Sequence, residues 1–194
     1  MRQRSMWLLL LGVVMLVGTL HYSGKVWATT ANGFKATTIA TGTFSEFEVF
    51  NHAVLPNLAG DGDSDGDDKS VWLSIQKTKG LSDLYVQSNL WQPVSPTGVV
   101  SSTGWHTHPG HSLIIVTAGT ITEYDGDCIP HPYTFVPGQP APTLVDPGHG
   151  HVHIIRNEGS VPASTIAVQL VPFDPNKANR RIDAPAPVNC PNIQ

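Results

Sequence analysis

Three histidines, His106, His108 and His111, lie within the stretch TGWHTHPGHSLIIVTAG, residues 103–119, directly before an apolar run. Imidazole is a common metal ligand and also titrates near neutral pH, so this stretch could form a metal site or a pH-sensitive loop. Side chains at positions i and i+2 of a β-strand point to the same face, so His106 and His108 would aim two imidazoles at one place. The spacing therefore indicates a metal site, and a histidine-rich surface turn without metal is the alternative.

A second histidine cluster lies in DPGHGHVHIIRN, residues 146–157, which contains His149, His151 and His153. Each of them is a candidate for a third ligand supplied by a different strand. His153 begins an apolar run and is therefore the one placed most firmly within a strand. His149 and His151 are expected in a loop, as ordinary loop residues, supporting groups or weak surface ligands.

The elements that must position these histidines are β-strands. Apolar and polar residues alternate in FSEFEVF, VWLSIQK, SDLYVQSNLWQP, SLIIVTAGTITEYDGD, HVHIIRN and ASTIAVQLVP, while residues 29–43 are small and polar with breaks at Gly33 and Gly42. Twelve of the 16 prolines lie from Pro130 onward, which excludes a helical second half. Short strands separated by turn residues predict a single all-β sandwich or barrel.

The two histidine segments resemble the two sequence motifs of the cupin superfamily. GWHTH, followed by an apolar strand that ends at Gly119, is similar to the first motif: glycine, His-x-His, a spaced glutamate and a glycine. DPGHGHVHIIRN is similar to the second, in which proline and glycine precede a histidine four residues before an asparagine, here His153 and Asn157. The resemblance implies one jelly-roll β-barrel in residues 29–194, with its core at 70–172 and a metal bound inside by His106, His108 and His153.

One position departs from the first motif, because the family's glutamate would stand where this chain has Ser112. Either three histidines hold the metal with water in the open positions, or His111 becomes the fourth ligand. Strand parity favours Ser112 pointing inward and His111 on the other face or in the loop. In an enzyme, Ser112 would hydrogen-bond a metal-bound water or the substrate, and His111 is the first candidate for an acid/base group.

Three neutral imidazoles leave the charge of a divalent ion uncompensated, which makes the ion a stronger Lewis acid and a better host for a carboxylate or enolate. The metal is expected among Zn, Cu, Fe, Ni and Mn. The chain is then either an enzyme, such as an Fe(II) dioxygenase or a metal-assisted isomerase, lyase or hydrolase, or a non-catalytic protein that binds a small ligand or the metal. A third alternative is a jelly roll whose site is vestigial. Fold does not choose among these functions.

The first 28 residues resemble an export signal, with Arg2 and Arg4 before an apolar segment of about 15 residues, which is shorter than the roughly 20 that a membrane span needs. Cleavage after Ala28 would leave 166 residues with eight basic and 15 acidic side chains, a formal charge of −7. We therefore expect an extracytoplasmic protein, periplasmic or secreted, with no membrane attachment after cleavage. Its partners are a small-molecule ligand and, as in many cupins, a second copy of the chain. The acidic balance excludes a nucleic-acid partner.

The two cysteines, Cys128 and Cys190, predict one disulfide in an exported chain. That bond would fasten the extended, proline-rich tail, residues 173–194, to the surface of the barrel. The acidic loop DGDSDGDD has Asp61, Asp63 and Asp65 at the opening spacing of a calcium-binding loop, but its twelfth position is Trp72 instead of glutamate. We interpret that loop as a solvated surface segment.

Overall fold

A computed structural model describes residues 28–56, 69–176 and 180–194. The predicted signal segment, up to residue 27, and the acidic loop at 61–68 lie outside the described residues. Within those ranges the secondary structure consists of β-strands and no helix, which confirms the all-β prediction. Correspondingly, no helix in the described part of the chain is long and apolar enough to cross a membrane.

Most described strands follow the alternating segments of the sequence, and several short strands are additional. Two expectations for the N-terminal region are wrong: a strand at residues 34–44 continues through Gly42, and the predicted strand FSEFEVF is interrupted at residues 45–47. The described strands are β1 (Phe34–Phe44), β2 (Glu48–Pro56), β3 (Lys69–Lys77), β4 (Ser82–Trp91), β5 (Ser101–Ser102), β6 (His106–Thr107), β7 (Ser112–Ala118), β8 (Thr120–Tyr124), β9 (His131–Thr134), β10 (Thr143–Asp146), β11 (Ile154–Asn157), β12 (Ala163–Pro172) and β13 (Ile182–Asp183).

Two antiparallel sheets form the body of the fold. The larger sheet has the strand order β1-β4-β12-β7-β10, and the smaller has the order β5-β11-β8-β9. A hairpin of β2 and β3 and a short pair of β13 and β6 complete the described pairing. Two facing sheets with this mixed strand order are consistent with a jelly roll. β1 arises from the small, polar residues 29–43, where threonine favours a strand at the edge of a sheet.

Inward-facing side chains of both sheets form the main core, and strand alternation decides which residues these are. In β12 every second residue is buried from Ala163 to Val171. The core comprises Trp91, Ile114, Val116, Ile121, Leu144, Ile155, Ala163 and Ala167, with Phe34, Tyr133 and Phe135 packed at its edge. Side chains from the larger and the smaller sheet are thus interleaved, so burial of this apolar surface holds the two sheets together.

The inward face of the larger sheet changes from apolar to polar along the strands. Cross-strand register places Asp146, Ser112, Gln169 and Tyr85 side by side on β10, β7, β12 and β4. All four are buried. Buried polar side chains require hydrogen-bond partners or a ligand, so this polar end of the sheet is where a site can form.

The C-terminal segment is fixed to the body by a disulfide, a strand pairing and a second apolar cluster. Cys128 and Cys190 form the disulfide that the sequence predicted. Cys190 is buried with Trp105, Tyr124 and Ile154. The indole Nε1 of Trp105 donates a hydrogen bond of 2.7 Å to the carbonyl oxygen of Ile193. Because Trp105 directly precedes the first histidine of the His-x-His pair, this packing also positions that pair.

Candidate metal centre

His106 and His153 lie directly opposite each other, because their backbones exchange two hydrogen bonds. The His106 amide donates to the His153 carbonyl at 3.0 Å, and the His153 amide donates to the His106 carbonyl at 2.9 Å. Side chains of such a pair point to the same face. Their Nε2 atoms are consequently only 3.3 Å apart. The backbone pairing therefore brings together the two motifs, which are separated by about 45 residues in sequence.

His108 completes a group of three imidazoles at this position. Its ring centroid lies 4.8 Å from that of His106 and 5.8 Å from that of His153. One ligand nitrogen from each of the three rings lies within 4.8 Å of the other two. His106 and His153 are 4% and 1% exposed, so neither ring is solvated as a surface imidazole would be.

The second nitrogen of each ring faces an oxygen atom of the protein. Nδ1 of His106 lies 2.8 Å from the carbonyl oxygen of Gly104, and Nδ1 of His108 lies 2.8 Å from that of Arg180. Nδ1 of His153 lies 3.3 Å from a carboxylate oxygen of Glu123. For His106 the carbonyl acceptor selects the tautomer that carries its proton on Nδ1, which leaves the lone pair of Nε2 free. Nδ1 of His153 and Oε1 of Glu123 have no hydrogen-bond partner among the described residues, so their approach is a contact and not a hydrogen bond.

The side-chain amide of Gln169 lies 2.7 Å from Nδ1 of His108, the same nitrogen that faces the Arg180 carbonyl. The Gln169 atom at this distance is Nε2, a donor, so Nδ1 of His108 lies between a donor and the carbonyl acceptor of Arg180. The amide of Gln169 also lies 3.3 Å from Oγ of Ser112. Gln169 therefore supports the orientation of one imidazole and contacts the serine that replaces the motif's glutamate.

A buried carboxylate, that of Asp146, stands beside the three histidines. Its Oδ2 lies 3.6 Å from Nε2 of His108 and 3.4 Å from Oγ of Ser112, its cross-strand neighbour. Its Oδ1 accepts a 2.9 Å hydrogen bond from the Gly148 amide and lies 3.5 Å from Nδ1 of His151. Asp146 has no solvent exposure. The centre therefore has a carboxylate nearby, although it comes from β10 and not from the motif position.

Burial favours the neutral form of His106 and of His108. It lowers the pKa of His106 well below its usual value of 6.5, with further lowering by His153 and Arg181. Burial also lowers the pKa of His108, against the opposing effects of the Arg180 carbonyl and Asp146. Neutral imidazole is the form that binds a metal, so the fold presents these two rings in the required state.

The donor atoms fit a divalent ion of the first transition row. With metal–nitrogen bonds of about 2.0–2.1 Å, two nitrogens separated by 3.3 Å would subtend about 105–110° at the ion, which is close to tetrahedral. Imidazole nitrogen is a ligand for Zn, Cu, Fe and Ni. The His106, His108 and His153 group can thus hold a metal, and its chemistry leaves the identity of that metal open.

The three histidines form one wall of a cavity of about 80 Å³ between the two sheets. Apolar side chains also line this cavity, among them Phe34, Trp91 and Ile114. Four buried polar atoms of lining residues have no hydrogen-bond partner in the described part of the chain: Oδ1 of Asn89, Nε1 of Trp91, Nδ1 of His153 and Oε1 of Gln169. Unpartnered buried polar atoms are costly, so these atoms are suited to bind groups of a ligand or water.

The structure places the other predicted residues as follows. Ser112 is buried and lines the cavity with the three histidines. His111 does not reach the cavity: it lines two grooves beside Leu113 and Leu170, on the other side of the sheet, as strand parity predicted. His149 is exposed, and His151 is half-buried between Asp125 and Asp146.

Sequence reasoning did not assign Asp146 and Glu123 to the site. The alternation of TITEY places Glu123 on the same face as the buried Ile121, which is a signal that it points inward. A similar alternation in TLVD places Asp146 on the same strand face as the buried Leu144. Neither signal identifies the histidine that each carboxylate approaches, because that depends on strand register.

Comparisons with known proteins give partial structural likenesses. No family model and no curated protein matches the sequence. Among solved structures, a polyketide cyclase, RemF, from Streptomyces resistomycificus has a TM-score of 0.40 and 14% identity over 55% of this chain and 64% of its own. A protein with a double-stranded β-helix domain from Klebsiella pneumoniae has a TM-score of 0.38 and 18% identity over 52% and 74%. A cupin superfamily protein from Desulfitobacterium hafniense has a TM-score of 0.36 and 12% identity over 71% and 83%.

These TM-scores are below 0.5, so the assignment of the fold rests on the chain's own residues. The chain joins the His-x-His motif to the second motif by direct backbone pairing at His106 and His153. Both motifs lie at the inner side of two facing antiparallel sheets. This arrangement is consistent with the jelly roll that the resemblance of the two motifs to cupins implies.

Proposed function

We propose that this protein binds one divalent metal ion through the Nε2 atoms of His106, His108 and His153, and holds a small polar molecule against the ion. The observation that carries the proposal is the convergence of one nitrogen from each ring within 4.8 Å, with Nε2 of His106 and Nε2 of His153 3.3 Å apart. Nδ1 of His106 lies 2.8 Å from the carbonyl oxygen of Gly104, and an acceptor of this kind orients a metal-binding histidine and raises its basicity.

The bound metal would act as a Lewis acid that polarises an oxygen atom of the ligand. The cavity excludes bulk water and orients the ligand against the histidines and the apolar side chains that include Trp91. Asn89 and Trp91 would supply an acceptor and a donor to the ligand's polar groups. Ser112 donates to Asp146, which keeps the carboxylate turned towards His108.

The proposal extends to the setting of the protein. An export signal in residues 1–28 and extracytoplasmic location agree with the Cys128–Cys190 disulfide, since such bonds persist in oxidising compartments.

We also propose that the two sheets close into a jelly-roll barrel around the histidines. The outer surface of the larger sheet carries exposed aliphatic residues, Leu113, Ile115 and Val145 among them.

Elemental analysis after expression in metal-replete medium tests the metal site. We expect about one divalent ion per chain, and loss of nearly all of it in His106→Ala and in His153→Ala, because two ligands cannot replace a three-ligand site. His149→Ala, an exposed histidine of the same segment, is the matched control and should keep its metal. Fewer than about 0.2 ions per wild-type chain, or an unchanged content in both cavity variants, would refute the proposal.

Proton-transfer catalysis is a second proposed function, favoured by the buried carboxylate of Asp146 beside the centre. Asp146 does not line the cavity, so a proton from a ligand carbon or hydroxyl would pass to the hydroxyl oxygen of Ser112, which lines the cavity and would give its own proton to Oδ2, as in isomerase and lyase reactions. We expect Asp146→Asn to retain metal and to lose exchange of the ligand's C–H proton with deuterated solvent, measured by NMR. Exchange that persists at the wild-type rate would assign Asp146 a structural role, and binding without exchange in the wild type would favour the non-catalytic function.

A further inference from the structure

Two consecutive arginines, Arg180 and Arg181, line the same cavity as the three histidines. They precede β13, which pairs with β6 so that Ile182 lies opposite Thr107 and Asp183 lies opposite His106. The carbonyl oxygen of Arg180 also faces His108 Nδ1 at 2.8 Å. The C-terminal segment therefore adds two cationic side chains to a site whose histidines come from the middle of the chain.

The guanidinium of Arg180 is already held by the protein. Its Nη1 donates to Oγ1 of Thr38 at 3.2 Å, and its carbon lies 4.9 Å from the ring centre of Tyr85. With the Gln87 amide turned so that its oxygen faces the guanidinium, that oxygen accepts from both Nη atoms. These contacts leave Arg180 few donors for a ligand, so its role at the cavity is to form part of the wall.

The guanidinium of Arg181 is held at one end only. Its Nε donates to Oδ1 of Asp183 at 2.8 Å, and neither Nη atom has a hydrogen-bond partner among the described residues. Its side chain is 28% exposed, so the group is partly shielded from water. Because the guanidinium is planar, fixing Nε on Asp183 also fixes the direction of the outer Nη edge.

Arg181 and the histidines share one electrostatic environment. After burial, the charge of Arg181 contributes to the lowered pKa of both His106 and His108. Three carboxylates lie around the site: Asp183 accepts from Nε of Arg181, Asp146 accepts from the Gly148 amide and Ser112, and Glu123 lies 3.3 Å from Nδ1 of His153. With a divalent ion on neutral imidazoles, the charges of the ion, Arg180 and Arg181 would exceed those of the three carboxylates by one.

We propose that the free Nη edge of Arg181 binds the carboxylate of the ligand, so that the ligand is a small 2-hydroxy carboxylate. This inference rests on the proposed function, in which the metal takes an oxygen of the same molecule. A guanidinium edge pairs with a carboxylate through two parallel hydrogen bonds. The unpartnered Oδ1 of Asn89 requires a donor, which a hydroxyl group supplies and a simple keto group does not.

The size of the cavity limits the ligand. At about 10–15 Å³ for each water-sized position, a cavity of about 80 Å³ has room for roughly five to eight such positions. Glycolate and lactate, with two and three carbon atoms, are of this size. Longer or branched acids would have to displace the C-terminal segment that carries Arg181.

Calorimetric titration of the zinc-loaded full-length protein tests the inference, with glycolate as the probe and glycolamide as its uncharged analogue. We expect the wild type to prefer glycolate. Arg181→Gln should weaken glycolate binding by about 10- to 100-fold, the range expected for a lost charge-assisted hydrogen bond, and should remove the preference over glycolamide. Arg181→Lys should recover part of the loss, because lysine keeps the charge without the two-pronged geometry.

Zinc content, measured on each variant, separates this inference from the proposed function. Wild-type protein without zinc would refute the metal site itself. If Arg181→Gln keeps its full zinc content and its glycolate affinity is unchanged, the proposed role of Arg181 is wrong and the metal site is still supported. A wild type that binds zinc without preferring glycolate over glycolamide would have the same meaning. Arg156→Gln is the matched control, because Arg156 pairs with Glu158 at 3.2 Å and does not line the cavity.

Discussion

Removal of the Cys128–Cys190 disulfide should destabilise the protein and weaken its metal site together. The bond closes a loop with a sequence separation of 62 residues. In the chain-entropy model, a loop of that length restricts the unfolded state by about 4 kcal/mol at 25 °C. For a domain of this size, about 4 kcal/mol corresponds to a decrease in melting temperature of roughly 8–16 °C.

The assay is urea denaturation of the double variant Cys128→Ala, Cys190→Ala against the wild type, both without metal. Wild-type protein treated with a thiol reductant should unfold at the same urea concentration as the double variant. Val188→Ala, at a residue of the same segment that is 97% exposed, is the control and should change little. A loss of less than about 1 kcal/mol would contradict the entropic account of this bond.

The same variant should bind zinc about tenfold more weakly, because the C-terminal segment presents the Arg180 carbonyl to His108. Groups that orient a ligand histidine typically contribute 10- to 100-fold to metal affinity. The C-terminal segment keeps the β13–β6 pairing and the Trp105–Ile193 hydrogen bond in this variant. We therefore expect a loss of zinc affinity at the lower end of that range. Unchanged zinc affinity would show that the strand pairing and the hydrogen bond are sufficient to position the Arg180 carbonyl.

Two further predictions concern pH and packing. In metal-free protein, burial lowers the pKa of His106 and of His108 in the folded state. As the pH falls below about 6.5, the unfolded chain therefore binds protons before the folded chain does, and the free energy of unfolding decreases. Denaturation at several pH values should show a shallower decrease in His106→Gln, by up to about 1.4 kcal/mol per pH unit, and an unchanged slope would contradict this cause. Gly110→Ala should destabilise the protein by about 1–3 kcal/mol through overpacking, because an added Cβ would meet the backbone of Leu170. Gly126→Ala is the control, since a Cβ there would meet nothing within 4 Å. Equal stabilities of the two variants would refute this packing argument.

Much of the fold could be predicted from the sequence because the relevant signals are local. The alternation in SLIIVTAG and ASTIAVQLVP reports which strand face is buried, and the observed burial of β7 and β12 alternates in that way. Parity also separated Ser112, which lines the cavity, from His111, which does not. The expectation of export and an even cysteine count together predicted the disulfide, since only one pairing of two cysteines exists.

The rest of the site could not be predicted because it depends on strand register. Asp146 reaches the centre since β10 pairs with β7 so that it lies opposite Ser112. Arg181 reaches it because β13 pairs with β6, more than 70 residues earlier in the chain. A shift of either register by one residue would turn these side chains to the opposite face, and composition carries no information about such a shift.

By itself, the sequence predicted that the chain is all-β and that its His-x-His pair and His153 have the spacing of metal ligands on strands. Of the three histidines only His106 lies within a described strand, because His108 follows β6 and His153 precedes β11. Both predictions follow from the two-residue period of a strand, which is a local property. Only the tertiary structure decided which carboxylate, which carbonyl groups and which arginine surround those imidazoles. The reason is that a cross-strand neighbour is chosen by packing of the whole sheet, so residues distant in sequence meet only when the core has fixed the register.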